Sequence, residues 1–361
     1  MVAMASSSYV MEKLNYSQKI QSIRAIAALW IFVFHYYHFI AHGFFEVLDT
    51  INPLPLLIYH GYFCVYVFFI LSGFLLIRAY PQQLSLKSFI FKRLLKIFPA
   101  LYLCFVVYYL GFTDSFPWYL WKAVFNTDTQ IYPNTLGHLW FINRLLECYL
   151  CFPLLWWLYK KTAWQILAVC WFVIVLVGSY WAGQLKPSLP IYYGSFLLCL
   201  SHFIFGMLIE AKTIKLPSSA LLGMVVLFFV SLMAWQYSSW QTPLAFSWLG
   251  LLWFNSLAVF IAVFIRAFLS IAVSFPRIIT NLLVKLGKLS YEFYLYHFLV
   301  IRLFIEHKNW LTDYALLNFS ILLLLSIFSA VIFQKLLIIL LLIFRNGTLF
   351  VPSNFQKSSN D

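Results

Sequence analysis

Apolar stretches of about twenty residues recur along nearly the whole chain, separated by short polar stretches that hold most of the charges. Each is long enough to cross a hydrocarbon core about 30 Å thick at about 1.5 Å per helical residue. They fall near residues 23 to 43, 57 to 79, 94 to 111, 138 to 159, 163 to 181, 191 to 211, 217 to 235, 247 to 265, 287 to 305 and 315 to 343. The runs are continuous and lack the alternation of barrel strands. In lipid the peptide groups must be satisfied within the chain, so the pattern predicts helices. The expected fold is all-α, a polytopic integral membrane bundle of about ten transmembrane helices. Residues 1 to 22 and 346 to 361 read as cytoplasmic tails, and residues 23 to 345 as one transmembrane domain.

Composition agrees with this reading. Hydrophobic residues make up 63% of the chain and charged residues only 10%, whereas a soluble domain carries about a quarter of its residues as Asp, Glu, Lys or Arg. A soluble fold of this size would lack the polar residues to cover its surface. The net charge of +13 does not point to nucleic acid, because the basic residues sit in short clusters between apolar runs and not along one face. With the N-terminus in the cytoplasm, the inner segments take most of the Lys and Arg. The outer segments keep only Lys122, Lys186, Arg302 and Lys308. This asymmetry follows the positive-inside rule and places both termini in the cytoplasm. No cleavable leader pattern precedes the first run, which is expected to be retained. The longest extramembrane stretch, around Gly111 to Gly137, is expected outside, where such a loop can cap a site.

Ionisable groups within apolar runs cost several kcal/mol unless paired, so they are where chemistry is sought. Arg24 and His35 stand eleven residues apart in the first run, within about 20° of one helical face and about 16 Å apart along the axis. A neutral imidazole can take and return a proton, so His35 reads either as a general base or as a histidine hydrogen-bonded for packing. A cation at the inner mouth with a base deeper in suits an anionic donor entering from the cytoplasm. Arg93 and Lys96, three apart on one face, read either as a phosphate site or as an interfacial anchor. Arg144 and Glu147, also three apart, read as a neutralising ion pair or as the source of a catalytic carboxylate. Tyr291, Tyr294 and His297 fall in the ninth run, the tyrosines more readily as packing residues. The six cysteines lie in or beside apolar runs and behave as small hydrophobes. Cys148 and Cys151 form one C-x-x-C without a second ligand pair, so no metal is expected. No nucleophile elbow, zincin, phosphate-loop or dinucleotide motif occurs, which argues against those enzyme classes.

Four stretches in order carry a resemblance. They are IRAIAALWIFVFH with Arg24 and His35; VYVFFILSGFLL with Phe68, Phe69, Ser72, Gly73 and Phe74; FKRLLKIFPALY with Arg93 and Lys96; and the pair HLWFINRLLECYLCFP and LGKLSYEFYLYH. Together they resemble the membrane acyltransferase-3 family, which includes O-acetyltransferases of bacterial surface polysaccharides. The chain departs from the family pattern where Tyr66 and Val67 precede the paired phenylalanines, and where Lys96 stands for the second of two arginines.

The resemblance implies an O-acyltransferase of the inner (plasma) membrane. It would move an acyl group, acetyl by family, from cytoplasmic acetyl-CoA to a hydroxyl of an extracytoplasmic or lipid-linked glycan such as lipopolysaccharide O-antigen. Carried over residue by residue, it implies His35 and Glu147 in catalysis, Arg24, Arg93 and Lys96 on the donor's phosphates, and Ser72, Trp140 and His297 toward the substrate. His35 would serve as general base or as transient acyl carrier. Without the resemblance the same intramembrane charges also fit a transporter or flippase for a lipid-linked sugar, or a scaffold. The expected partners are acyl-CoA, a glycan or lipid-linked sugar and the bilayer, with no nucleic acid.

Overall fold

The first helix, α1 (Tyr16–Phe39), begins where local chemistry allows it to begin. The Asn15 side chain accepts from the Gln18 backbone N–H, and the Gln18 side chain accepts from the Asn15 N–H. This capping box satisfies two donors at the helix start and begins the helix ahead of the first apolar run. The computed structural model describes residues 11–40, 58, 60–112, 136–185, 195–211, 248–271, 273–307 and 310–347. After α1 come α2 (Cys64–Ala79), α3 (Leu86–Phe112), α4 (Trp140–Thr162), α5 (Trp164–Leu185) and α6 (Phe196–Ala211). They are followed by α7 (Trp248–Ser270), α8 (Arg277–Lys288), α9 (Ser290–Glu306) and α10 (Ala315–Gly347). The seventh predicted run, 217 to 235, and nearly all of the predicted outer loop lie outside the described residues, while each of the other runs coincides with a helix.

The protein is therefore an all-α membrane protein. Among the described residues, four stretches are long and apolar enough to cross a membrane: Gly61–Ala79, Leu86–Phe112, Gly137–Thr162 and Ala315–Ile343. Large apolar side chains also point outward along the bundle, among them Leu110, Leu150, Leu154, Phe172, Leu324 and Phe328. Water would not tolerate so broad an apolar surface, whereas lipid covers it at no cost.

One predicted boundary is corrected. The run from 287 to 305 does not start a spanning helix at residue 287. Residues 277 to 288 form a separate helix, α8, before α9 starts at Ser290. Ile278, Ile279 and Leu282 of α8 are exposed together with Arg277, Lys285 and Lys288. Exposed apolar residues beside basic ones suit a helix lying in the membrane interface.

Two close approaches fix the bundle. A Cβ on Gly73 of α2 would come within 2.0 Å of the Phe203 carbonyl oxygen of α6, and a Cβ on Gly206 within 2.0 Å of the Ile70 carbonyl oxygen. The two helices thus press backbone to backbone at reciprocal glycines, which no larger residue permits. In the same way α8 meets α1 at Gly287, where a Cβ would stand 2.1 Å from the Gln21 carbonyl oxygen. A short antiparallel ribbon supports this second contact, pairing Met11–Lys13 with Ser274–Pro276. The buried Lys19 donates to the Leu269 and Ile271 carbonyls at 2.9 and 2.7 Å, placing its charge on the otherwise orphaned carbonyls at the end of α7.

Gly73→Ala and Gly206→Ala are expected to lower the melting temperature in detergent by about 5 °C or more, because overpacking typically costs about 1–3 kcal/mol. Gly111→Ala is the control, since a Cβ there meets nothing within 4 Å. Equal melting temperatures for all three variants would refute the reciprocal-glycine contact.

Candidate functional site

Five helices enclose a cavity of about 250 Å³. Each contributes a stripe with helical spacing: Arg24 and Ile31 from α1, Phe68, Ser72 and Leu75 from α2, Arg93, Lys96 and Ile97 from α3, Phe141, Leu145 and Tyr149 from α4, and Ser290, Tyr291 and Tyr294 from α9. The three cations Arg24, Arg93 and Lys96, predicted from separate stretches, thus meet in one space. Ser72, predicted on the substrate side, lines the same wall, and its neighbour Gly73 faces away into the α6 contact.

The cations are not all neutralised. Glu292, hydrogen-bonded to Gln334 of α10, lies within electrostatic reach of Arg24 and Lys96. Arg93 sits between aromatic rings, its guanidinium carbon 5.8 Å from the Tyr149 ring centre and 6.0 Å from that of Phe89. The Arg93 Nε and the Ser290 Oγ are buried without a hydrogen-bond partner. A buried donor left unpaired costs about 1–3 kcal/mol.

Three imidazoles lie next to the cavity and do not line it. The His35 Nδ1 is 2.8 Å from the His297 Nε2, and the two rings stack with an interplanar angle of 12°. The His138 ring meets His297 edge-on at 5.6 Å and stacks on Phe298 at 4.7 Å. Tyr294 joins the two regions. Its ring lines the cavity, lies 5.4 Å from His138 and 5.9 Å from His297, and its hydroxyl donates to the His138 carbonyl.

The remaining predicted residues go elsewhere. Glu147 accepts from the Arg144 Nη1 with both carboxylate oxygens, each at 2.9 Å, and it does not line the cavity. The carboxylate offsets the charge of an intramembrane arginine on its own helix, and the pair lies within electrostatic reach of Cys199 on α6. Trp140 packs half-buried against the hydrophobic core and also stays off the cavity wall. His297, expected to touch substrate, is 1% exposed and faces His35 instead.

Sequence reasoning did not single out His138, Ser290 or Glu292, and it read Tyr291 and Tyr294 as packing residues. A signal was present in α9, where Ser290, Tyr291, Tyr294 and His297 repeat at helical spacing. For His138 there was none, because its neighbour His297 lies on a helix remote in sequence.

Residues 18–335 match the family model described as an acyltransferase domain. No curated protein and no solved structure gives a match. A match across almost the whole chain, on a helical membrane scaffold that gathers the four predicted stretches round one cavity, places this protein in the acyltransferase-3 family of membrane acyltransferases.

Proposed function

We propose that the protein is an acyl-CoA-dependent O-acyltransferase of the plasma membrane. In this reading it transfers acetyl from cytoplasmic acetyl-CoA to a hydroxyl of an extracytoplasmic or lipid-linked glycan such as lipopolysaccharide O-antigen. The observation that carries the proposal is the convergence of Arg24, Arg93 and Lys96 on one cavity whose wall, at Tyr294, abuts the imidazole group.

Clustered cations with unpaired donors suit the phosphates of a coenzyme A thioester. The volume argues in the same direction. It exceeds the roughly 150 Å³ of an apolar cavity that holds benzene and falls short of the roughly 300 Å³ at which drug-sized pockets begin. A short acyl thioester fits inside, and the nucleotide stays at the basic mouth.

In the transfer His35 takes the proton of the acceptor hydroxyl. The oxygen then bonds to the thioester carbonyl carbon, the C–S bond breaks, and the departing thiolate takes the proton from the imidazolium. Tyr294 stands between the cavity and the rings. Glu147 is paired with Arg144.

His35→Ala is expected to abolish acetylation, seen by mass spectrometry of surface glycans as the loss of one acetyl per repeat, while membrane insertion is unchanged. Wild-type acetylation in that variant would end the proposal. Arg93→Ala with Lys96→Ala is expected to raise KM for acetyl-CoA at least about tenfold, since a hydrogen bond to a charged group contributes about 1.5–3 kcal/mol. Translocation of a lipid-linked sugar without consumption of thioester would instead identify a transporter.

A further inference from the structure

Both ring nitrogens of His297 are occupied. Nδ1 lies 3.0 Å from the Phe293 carbonyl oxygen, one turn back on α9, and Nε2 lies 2.8 Å from the His35 Nδ1. A carbonyl oxygen only accepts, so the His297 Nδ1 carries the hydrogen. The ring is 1% exposed, packed among Phe32, Phe293 and Phe298, and among the described residues no carboxylate bonds it. A second proton on it would be an unpaired charge in an apolar setting, which is costly. The His297 Nε2 is therefore a lone pair.

A lone pair 2.8 Å from the His35 Nδ1 demands a hydrogen there. His35 is then the Nδ1–H tautomer, and its Nε2 holds the free lone pair. We infer that His297 is a positioning residue which, held by the Phe293 carbonyl, fixes the tautomer and plane of His35 so that its Nε2 is the atom that takes the acceptor's proton. This rests on the role given to His35 above, and it replaces the substrate contact expected of His297. The near-parallel rings, tilted by 12°, keep that orientation through the cycle. When His35 gains a proton on Nε2, its Nδ1–H···Nε2 bond to His297 becomes charge-assisted and steadies the imidazolium. The helix supplies the tautomer signal without any charged residue, which an apolar bundle would make expensive.

The test uses the full-length protein in proteoliposomes with glycolipid extracted from the native membrane, following coenzyme A release from acetyl-CoA. His297→Phe keeps the ring's bulk and removes the acceptor. Its kcat is expected to fall about 10- to 100-fold, as when the partner of a functional histidine is lost. KM for acetyl-CoA and affinity for coenzyme A are expected to stay within about twofold, which also reports that the variant is folded. His297→Gln places an amide oxygen near the lost Nε2 and is expected to recover most of the rate, and it carries the test if the Phe variant does not fold. In a His35→Ala background His297→Phe is expected to have no further effect, because the two act as one unit. A wild-type kcat in His297→Phe, a change confined to the acceptor's KM, or a Gln variant no better than the Phe variant would each overturn the inference with the role of His35 intact. Transfer persisting in His35→Ala would remove both.

Discussion

An α-helix can serve one cavity with residues eleven apart only if its rotation about its own axis is fixed, since a slip of a single residue turns every side chain by about 100°. The first helix is held at both ends. Near its start Lys19 bonds the last carbonyls of the seventh helix, and the Gln21 carbonyl sits against Gly287 with no room for a side chain. At its far end the Tyr36 hydroxyl donates to the Ala315 carbonyl at 2.6 Å. Between these anchors Arg24 and Ile31 face the cavity, and His35, one turn further on, meets His297. The cationic mouth and the imidazole pair depend on this one rotation.

Elsewhere the bundle pairs several of its charges across and along helices. Glu210 receives Arg78 and Arg266, each at 3.3 Å, and ties the second, sixth and seventh helices together. Arg144 is matched by Glu147 on its own helix. Arg93 has its Nε buried and unpaired at the cavity, as Ser290 has its hydroxyl, and the Arg266 Nε shares that condition although its Nη1 reaches Glu210. In a low-dielectric interior an unsatisfied group of that kind is retained only where something else is gained. In the proposed function that gain is an anion site beside the cavity.

Helix–helix contact in lipid has no hydrophobic drive of its own and depends on close packing. The Ser72-Gly73 pair shows how one short motif serves both needs. Gly73 lets the second and sixth helices touch through their backbones, and the adjacent Ser72 is thereby turned onto the cavity wall. Packing and site are set by neighbouring residues on opposite faces of one helix.

The sequence by itself determined the all-α membrane scaffold, because twenty-residue apolar runs admit little else in a bilayer. It also determined the family, because four ordered stretches carry the resemblance. Arg24 and His35 were legible as a pair because both lie on one helix, where spacing fixes the face. Only the tertiary structure decided what meets across helices. It brought Arg93 and Lys96 to Arg24, paired Glu147 with Arg144, drew Glu292 toward the cations, and set the His297 ring against that of His35. The physical reason is that helical periodicity encodes relations along one helix, while contacts between residues hundreds of positions apart depend on which faces pack, and in this bundle that is settled by backbone approach at Gly73, Gly206 and Gly287.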